Sequence, residues 1–256
     1  MITACTIARD EASNLSELLP SLRWADEVLV VLDADTQDES AKIAASLADR
    51  VETRPFISFP SFRNLALELA AQPWVIFVDA DERVSETLVE EIRAAVDDSE
   101  RGLAAGESGT AVAYWVPRLN IMFGRLVRGG GWFPDHQLRL LHRERARYDE
   151  TQLVHEVVQV RGPTGYLEEP LLHLNYQSLG QFFAKQRRYT AMEVETSRAR
   201  GDRPRRRAVV GQPMREFGRR YLALGGWKDG PVGLFLAVSM AYYSYRRVCL
   251  LRTAQG

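Results

Sequence analysis

Cysteine is almost absent: the 256 residues include two, Cys5 and Cys249, at opposite ends of the chain. That excludes a disulfide scaffold and makes a reducing compartment the simpler expectation. Net charge is equally scarce, −1 from 33 Lys+Arg and 34 Asp+Glu. With 46% hydrophobic residues, this balance excludes a mainly disordered chain. No basic leader region is present either. Met1 opens a short apolar stretch that meets Arg9, Asp10 and Glu11 at once, so a signal peptide is not expected. Internal repeats and low-complexity tracts are lacking, and the length suits one large domain or a domain with an appendage.

What is present is uneven. Residues 1–179 carry 17 Lys+Arg and 29 Asp+Glu, a net of −12, whereas residues 180–256 carry 16 and 5, a net of +11. An acidic front suits metal ions and carboxylate chemistry; a basic tail suits phosphates. Apolar runs at Ile2–Ala8, Val28–Leu32, Val51–Thr53 and Trp74–Val78 predict strands. Helical spacing at Asn14–Leu22, Ser40–Leu47, Ser61–Ala71 and Ser85–Val96 predicts helices between and after them. Four such alternations predict an α/β fold with a mostly parallel sheet. Asp97–Thr110, rich in Gly, Ala and acids, reads as a mobile surface loop. Strands follow at Ala111–Val116, Gln137–Leu141, Val157–Val160 and Leu171–Leu174. The rest is helical and basic: Leu179–Arg198, Met214–Leu224 and Val232–Leu251, with a basic run at Arg203–Arg207.

Open α/β sheets bind ligands beyond the carboxyl ends of their strands. Acids stand at three such ends: Asp10 and Glu11, then Asp33 and Asp35, then Asp79, Asp81 and Glu82. Convergent carboxylates call for a divalent cation, and Mg²⁺ or Mn²⁺ sits on one or two of them with water and phosphate completing its shell. Acids at strand ends also serve as turn residues and helix caps. The Asp79-Ala-Asp81 group, entered directly from the strand Trp74–Val78, points most strongly to function.

Four stretches then combine: Trp24-Ala-Asp-Glu-Val-Leu-Val-Val-Leu-Asp33, Phe77-Val-Asp-Ala-Asp-Glu-Arg-Val-Ser85, Gly130-Gly-Trp-Phe-Pro-Asp-His-Gln-Leu-Arg-Leu140 and Val154-His-Glu156. In motif and spacing, over nearly the whole chain, they resemble family 2 glycosyltransferases of the GT-A fold. The chain is most similar to the small bacterial branch that includes lipopolysaccharide inner-core glucosyltransferases. The resemblance implies a Rossmann-like nucleotide-diphospho-sugar transferase domain over 1–176. Its nucleotide-binding half would be about 1–98 and its acceptor half about 111–176. Residues 177–256 would form a basic helical extension.

It also implies a nucleotide-sugar donor, UDP-linked, and inversion at the anomeric carbon. Asp33 would hold the base or ribose, with Ala8 and Glu11 lining the same pocket. Arg63, Ala80 and Arg139 join this donor set. Asp81 would bind the metal bridging the phosphates, with Asp79 beside it and His173 near the diphosphate. His173 also reads as a core histidine in an apolar run, and Arg139 as a plain salt-bridge partner. Inversion needs a carboxylate base opposite the leaving group. Glu156, with His155 before it, occupies the place of the family's acidic pair, and Asp135, after Trp132-Phe-Pro, is the runner-up. One departure stands out. Relatives follow the second-strand Asp with Ser-Gly-Ser-Thr-Asp, and here Ala34-Asp-Thr-Gln-Asp38 follows Asp33. The change bears on the donor's base and sugar more than on the reaction.

The tail bears on location. Pro231–Tyr245 is apolar or aromatic but reaches only about 22 Å, short of the roughly 30 Å hydrocarbon core. An interfacial helix is expected, with the arginines of 203–252 drawn to an anionic leaflet. Packing on the domain, or a dimer interface, is the other reading. Nucleic acid fits poorly, since the front half repels phosphate backbones. The expectation is a cytoplasmic enzyme, peripheral on the inner face of the bacterial cytoplasmic membrane. It would transfer a hexose to a lipid-linked glycan such as lipopolysaccharide core. A protein or soluble acceptor, or a sugar-nucleotide binder without turnover, are the alternatives.

Overall fold

The computed structural model describes residues 1–150, 158–202 and 204–253. The first α/β stretch runs β1 (Ile2–Ala8), α1 (Ala12–Ser21), β2 (Glu27–Asp33), α2 (Ser40–Leu47), β3 (Arg50–Arg54), α3 (Phe59–Leu69) and β4 (Trp74–Phe77). Then come β5 (Glu82–Arg83), α4 (Glu86–Ala105), β6 (Ala113–Met122), β7 (Arg125–Val127), β8 (Asp135–His142) and β9 (Ala146–Tyr148). β10 (Val158–Val160), β11 (Thr164–Tyr166) and β12 (Leu171–Tyr176) precede the helices α5 (Leu179–Ala199), α6 (Ala208–Phe217) and α7 (Gly230–Thr253).

The chain forms two compact units. One is Met1–Arg118 with His136–His173; the other is Leu119–Asp135 with Leu174–Gly256. This division differs from the expected one at 176/177. The 119–135 stretch goes with the C-terminal helices, because Met122 and Val127 share a buried cluster with Tyr176, Phe182, Leu236 and Tyr243.

In the first unit the strand order begins β3-β2-β1-β4, all parallel, and β8 joins β4 antiparallel. Beyond β8 come β6, β12 and β5, with β5 antiparallel to β12 and β11 lying parallel on the start of β6. The α/β fold with a parallel core sheet therefore stands, with antiparallel strands added at one side. Every residue of β2 is buried. Val28, Val30 and Leu32 pack with Leu15, Leu18, Leu88 and Ile92, while Leu29 and Val31 pack with Cys5, Phe62 and Phe77. Helices on both faces explain why the strand is an unbroken Val/Leu run. Three helices start at serine caps: Ser58, Ser85 and Ser178 each accept a bond from the backbone N–H three residues on. Four parallel strands bring the carboxyl ends of β1, β2 and β4 to one edge, where the acids stand.

Two expectations are corrected. Asp97–Thr110 is mostly not a loop, since α4 runs on to Ala105 and ends at Gly106 in the left-handed region (φ 70°). Its last turns are anchored: Ser99 and Gly102 are buried, and Ser99 shares a hydrogen bond with the Tyr114 hydroxyl at 2.7 Å. The helix expected at Met214–Leu224 begins earlier, at Ala208, carries Pro213 inside, and widens into a π-helical turn over Gly218–Ala223. α7 packs along one side and is open along another. Leu236, Ala237, Tyr243, Val248 and Leu251 are buried, while Leu234, Val238, Tyr242 and Tyr245 are exposed.

Candidate functional site

A cleft of about 400 Å³ opens in the first unit at the carboxyl ends of β1, β2 and β4. Ala8, Glu11, Asp33, Arg63, Asp79, Ala80 and Asp81 all line it, so seven of the residues expected at the donor site are brought together. Ile7, Arg9, Phe56, Phe59 and Phe62 complete the wall.

At the β1–β2 end, Asp33 is buried, its side chain 3% exposed. Arg9 Nη1 donates to its Oδ2 at 2.9 Å, and the Asp35 amide donates to its Oδ1 at 3.0 Å. Glu11 ends the loop after β1 and accepts from Asn14 Nδ2 at 2.6 Å. Burial pushes the Glu11 carboxyl up, and the charges of Asp81, Asp38 and Asp10 act in the same sense against the Asn14 bond. Asp10 serves the backbone: it sits at φ 54° and accepts from the Gln37 amide at 2.8 Å. Asp38 accepts from the Ala12 and Ser40 amides at 2.9 and 2.8 Å. These two acids tie the starts of α1 and α2 together.

The β4 end is a charge cluster. Arg139, reaching from β8, grips Asp79 with both terminal nitrogens, Nη1 to Oδ1 at 3.0 Å and Nη2 to Oδ2. Its Nη2 also donates to Glu82 Oε1 at 3.2 Å. Arg63 adds a bond to Asp79 at 3.4 Å while stacked 4.9 Å from the Phe77 ring centre. Burial opposes charge on Asp79, but Arg139 and then Arg63 hold its carboxyl well below the usual range. Glu82 is fully buried, and burial pushes its carboxyl up against the pull of Arg139. Its Oε2 accepts from the Asp79 amide at 2.9 Å, with Arg118 3.7 Å from its other oxygen. Arg139 thus makes ion pairs with both Asp79 and Glu82.

Asp81 is placed differently. Its Oδ2 lies 3.3 Å from His173 Nε2, and its side chain is 34% exposed. His173 is therefore a neighbour of Asp81 and not only a core histidine. Among the described residues no three of His, Cys, Asp and Glu gather as a metal-holding group. Asp79 is thus engaged by arginines, whereas Asp81 faces His173. A carboxylate and an imidazole suit Mn²⁺ or Mg²⁺ when phosphate oxygens and water supply the other positions. Two adjacent ligands of an octahedral ion with bonds of about 2.1 Å lie roughly 3 Å apart, close to the separation here.

Asp135 opens β8, four residues ahead of Arg139. Glu156 and His155 lie outside the described residues. Sequence reading missed Arg9 as the partner of Asp33, and Phe56 and Phe59 as cleft walls. The signal for the aromatics was there: Pro55-Phe-Ile-Ser-Phe-Pro60 is unusually apolar for a strand-to-helix connection.

A parallel sheet with a carboxylate-lined cleft at its strand ends fits a nucleotide-dependent transferase. The chain belongs to glycosyl transferase family 2, whose model matches residues 3–158. It is thus a glycosyltransferase, and the GT-A domain is its fold. A lipopolysaccharide core biosynthesis glycosyltransferase, LpsC of Rhizobium meliloti (strain 1021), is 28% identical over 258 residues, spanning 95% of this chain and 89% of that protein. An uncharacterized glycosyltransferase of Rickettsia bellii (strain RML369-C) is 24% identical over 261 residues, spanning 98% and 86%. Among solved structures, S. aureus TarS 1-349 in complex with UDP aligns at a TM-score of 0.48 and 13% identity, over 99% of this chain and 90% of that one.

Proposed function

We propose that this protein is an inverting glycosyltransferase that moves a hexose from a UDP-linked donor to a lipid-linked glycan of the lipopolysaccharide core type. The observation that carries the reading is the Asp81–His173 pair, 3.3 Å apart beside the cleft that Asp33 and Asp79 also line. Asp33 and Arg9 would take the base and ribose end. Asp81 and His173 would hold the divalent cation on the diphosphate. When bound, that cation supplies Lewis-acid stabilisation of the leaving diphosphate. Arg139 and Glu82 fix Asp79 by side chain and by backbone, which keeps the turn bearing Asp81 in place. Glu156 is the first choice for the base that removes the acceptor proton, and Asp135 the second. The lipopolysaccharide assignment is supported by the likeness to LpsC along nearly the full length of both chains.

The membrane part of the proposal rests on α7. None of the helices among the described residues is long and apolar enough to cross a membrane. The exposed row Leu234, Val238, Tyr242 and Tyr245 suits the interface, with Arg246 beside its end. The basic set is smaller than the sequence suggests, because Arg219 and Arg220 pair with Glu216 and Arg247 with Glu193. We place the protein on the inner face of the cytoplasmic membrane.

The test is calorimetric binding of UDP, GDP, dTDP, CMP and ADP sugars, with Mn²⁺ or Mg²⁺ and then with EDTA. Metal-dependent binding of one UDP-sugar is expected. Absence of binding across the panel, also with anionic vesicles present, would overturn the donor assignment.

A further inference from the structure

We infer that the segment from Glu216 to Asp229 positions the 128–135 loop, so that the basic extension is part of the transfer machinery as well as a membrane element. Every contact involved lies within the second unit. Asp229 stands just ahead of α7, and its Oδ1 and Oδ2 accept from the amides of Arg128 at 3.1 Å and Gly129 at 2.7 Å. A carboxylate on two amides makes charge-assisted bonds, the stronger kind. The Gly130 amide donates to the Leu224 carbonyl at 2.8 Å, and the Gly130 carbonyl accepts from Arg220 Nη1 at 2.8 Å. Three consecutive loop residues therefore have backbone groups held by the extension.

Arg220 does more than hold a carbonyl. Its guanidinium lies 5.2 Å from the Trp132 ring centre, and Glu216 orients it through a bond of 2.5 Å to Nε. From the other side, Asn120 Nδ2 donates to the Trp132 carbonyl at 2.9 Å. The glycines make this approach possible. A Cβ on Gly129 would stand 2.3 Å from the Gly225 carbonyl oxygen, and one on Gly226 would stand 2.7 Å from that of Arg220. Gly130 and Gly131 also take φ of 66° and 78°, open to glycine and costly for other residues. Loop and extension thus carry matched glycines for one backbone-to-backbone contact. The indole N–H of Trp132 is meanwhile buried with no hydrogen-bond partner among the described residues. An unpaired buried donor is costly, and it persists because the loop is fixed on both sides.

The loop has chemical consequence through its connection. It runs directly into β8, which opens at Asp135 and carries Arg139 to Asp79. Asp229 and Arg220 are therefore positioning residues for the stretch that holds one of the two base candidates. This step rests on the transferase reading above.

The test uses the full chain and the variants Asp229→Ala, Asp229→Asn, Arg220→Ala and Arg220→Lys. The conservative pair keeps the test open if the alanine variants do not fold. Hydrogen exchange is read at the amides of residues 128–130. Donor affinity is read by calorimetry with UDP-glucose and Mn²⁺. Sugar transfer is read against increasing amounts of a bacterial envelope lipid extract. Exchange at 128–130 should quicken at least ~10-fold and transfer fall ~10- to 100-fold, as for a misplaced reacting group. UDP-glucose affinity should hold within about 2-fold, and Arg220→Lys should restore part of the transfer. Unchanged exchange, intact transfer despite a loosened loop, or donor affinity falling in step with transfer would each overturn the inference. If the wild-type chain binds no nucleotide sugar, the donor reading fails, and the exchange result still decides whether the clamp exists.

Discussion

Replacing Arg139 by Met tests what holds the donor site together. Arg139 is 6% exposed and joins Asp79 to Glu82, which is fully buried. The substitution keeps much of the side-chain bulk and removes, among the described residues, the one cation within 3.5 Å of Glu82. Breaking a buried pair from one side costs about 3–5 kcal/mol, because a buried charge is left uncompensated. Nearly all of this is assigned to Glu82, since Asp79 is 37% exposed, keeps Arg63, and is screened by water. Total stability of folded chains is about 5–15 kcal/mol, so the loss is large. If the cause is the stranded charge, Glu82→Gln should rescue the variant. A glutamine oxygen can still accept from the Asp79 amide, as Glu82 Oε2 does at 2.9 Å. Glu82→Gln alone should cost about 1–3 kcal/mol as a disturbed buried hydrogen-bond network. The double variant should then be more stable than the sum of the two losses by at least ~2 kcal/mol, within the range for residues in contact. Urea unfolding followed by far-ultraviolet circular dichroism at neutral pH measures all four proteins. Strict additivity, or an Arg139→Met loss under about 1 kcal/mol, would refute the reasoning.

Other outcomes follow from the same geometry. Asp81→Ala should abolish the gain in donor affinity that Mn²⁺ gives in calorimetry, and an unchanged gain would remove Asp81 from the metal. Glu156→Gln should leave UDP-sugar affinity intact and lower turnover at least ~100-fold, the low end for a lost general base; if only Asp135→Asn does this, the base is Asp135. Deleting 229–256 is not a clean test of membrane binding, because α7 supplies Leu236 and Tyr243 to a buried cluster. Leu234→Asp with Val238→Asp should instead reduce sedimentation with anionic vesicles while leaving the melting temperature nearly unchanged, and undiminished sedimentation would exclude this face.

The leading strands and helices, β1 to β4 and α1 to α3, were legible because their hydrophobic period is clear, whereas the short strands β5, β9 and β11 carry no such signal. The continuous run Val28–Leu32 and the spacing of Leu15, Leu18 and Leu19 each have one reading. α4 was cut short because Asp97, Asp98, Ser99 and Gly102 resemble a loop by composition, whereas burial of Ser99 and Gly102 against Thr110 and Tyr114 settles the matter in three dimensions. The membership of residues 119–135 was hidden for a similar reason. Asp229 lies 100 residues from Gly129, and nothing local in Lys228-Asp-Gly230 marks a loop clamp. In the site, residue types pointed to the cleft but not to partners. Asp33, Asp79 and Asp81 look alike in sequence, and distant arginines make them different.

That difference changes what a metal is needed for. Converging acids suggest a cleft that demands a cation whenever it is folded. Yet Arg9 answers Asp33, Arg139 and Arg63 answer Asp79, and Arg139 with Arg118 answers Glu82. Asp81 and Glu11 are left without a lysine or arginine partner among the described residues. One half-buried carboxylate beside an imidazole is a poor site for a strongly hydrated ion, since Mg²⁺ and Mn²⁺ favour several oxygen ligands. A bound diphosphate would add those oxygens together with negative charge, beside two acids that the protein leaves unmatched. Metal and nucleotide should therefore bind with positive coupling. Mn²⁺ titrated alone should bind weakly, and UDP should raise its affinity by 5- to 150-fold, the ordinary range of coupling between two ligands. Reciprocity requires Mn²⁺ to raise UDP affinity by the same factor. Electron paramagnetic resonance of free Mn²⁺, with and without UDP, measures the first effect, and calorimetry of UDP with and without Mn²⁺ measures the second. Tight Mn²⁺ binding in the absence of nucleotide would mean that the acids do form a preassembled metal site, and the charge accounting above would be wrong.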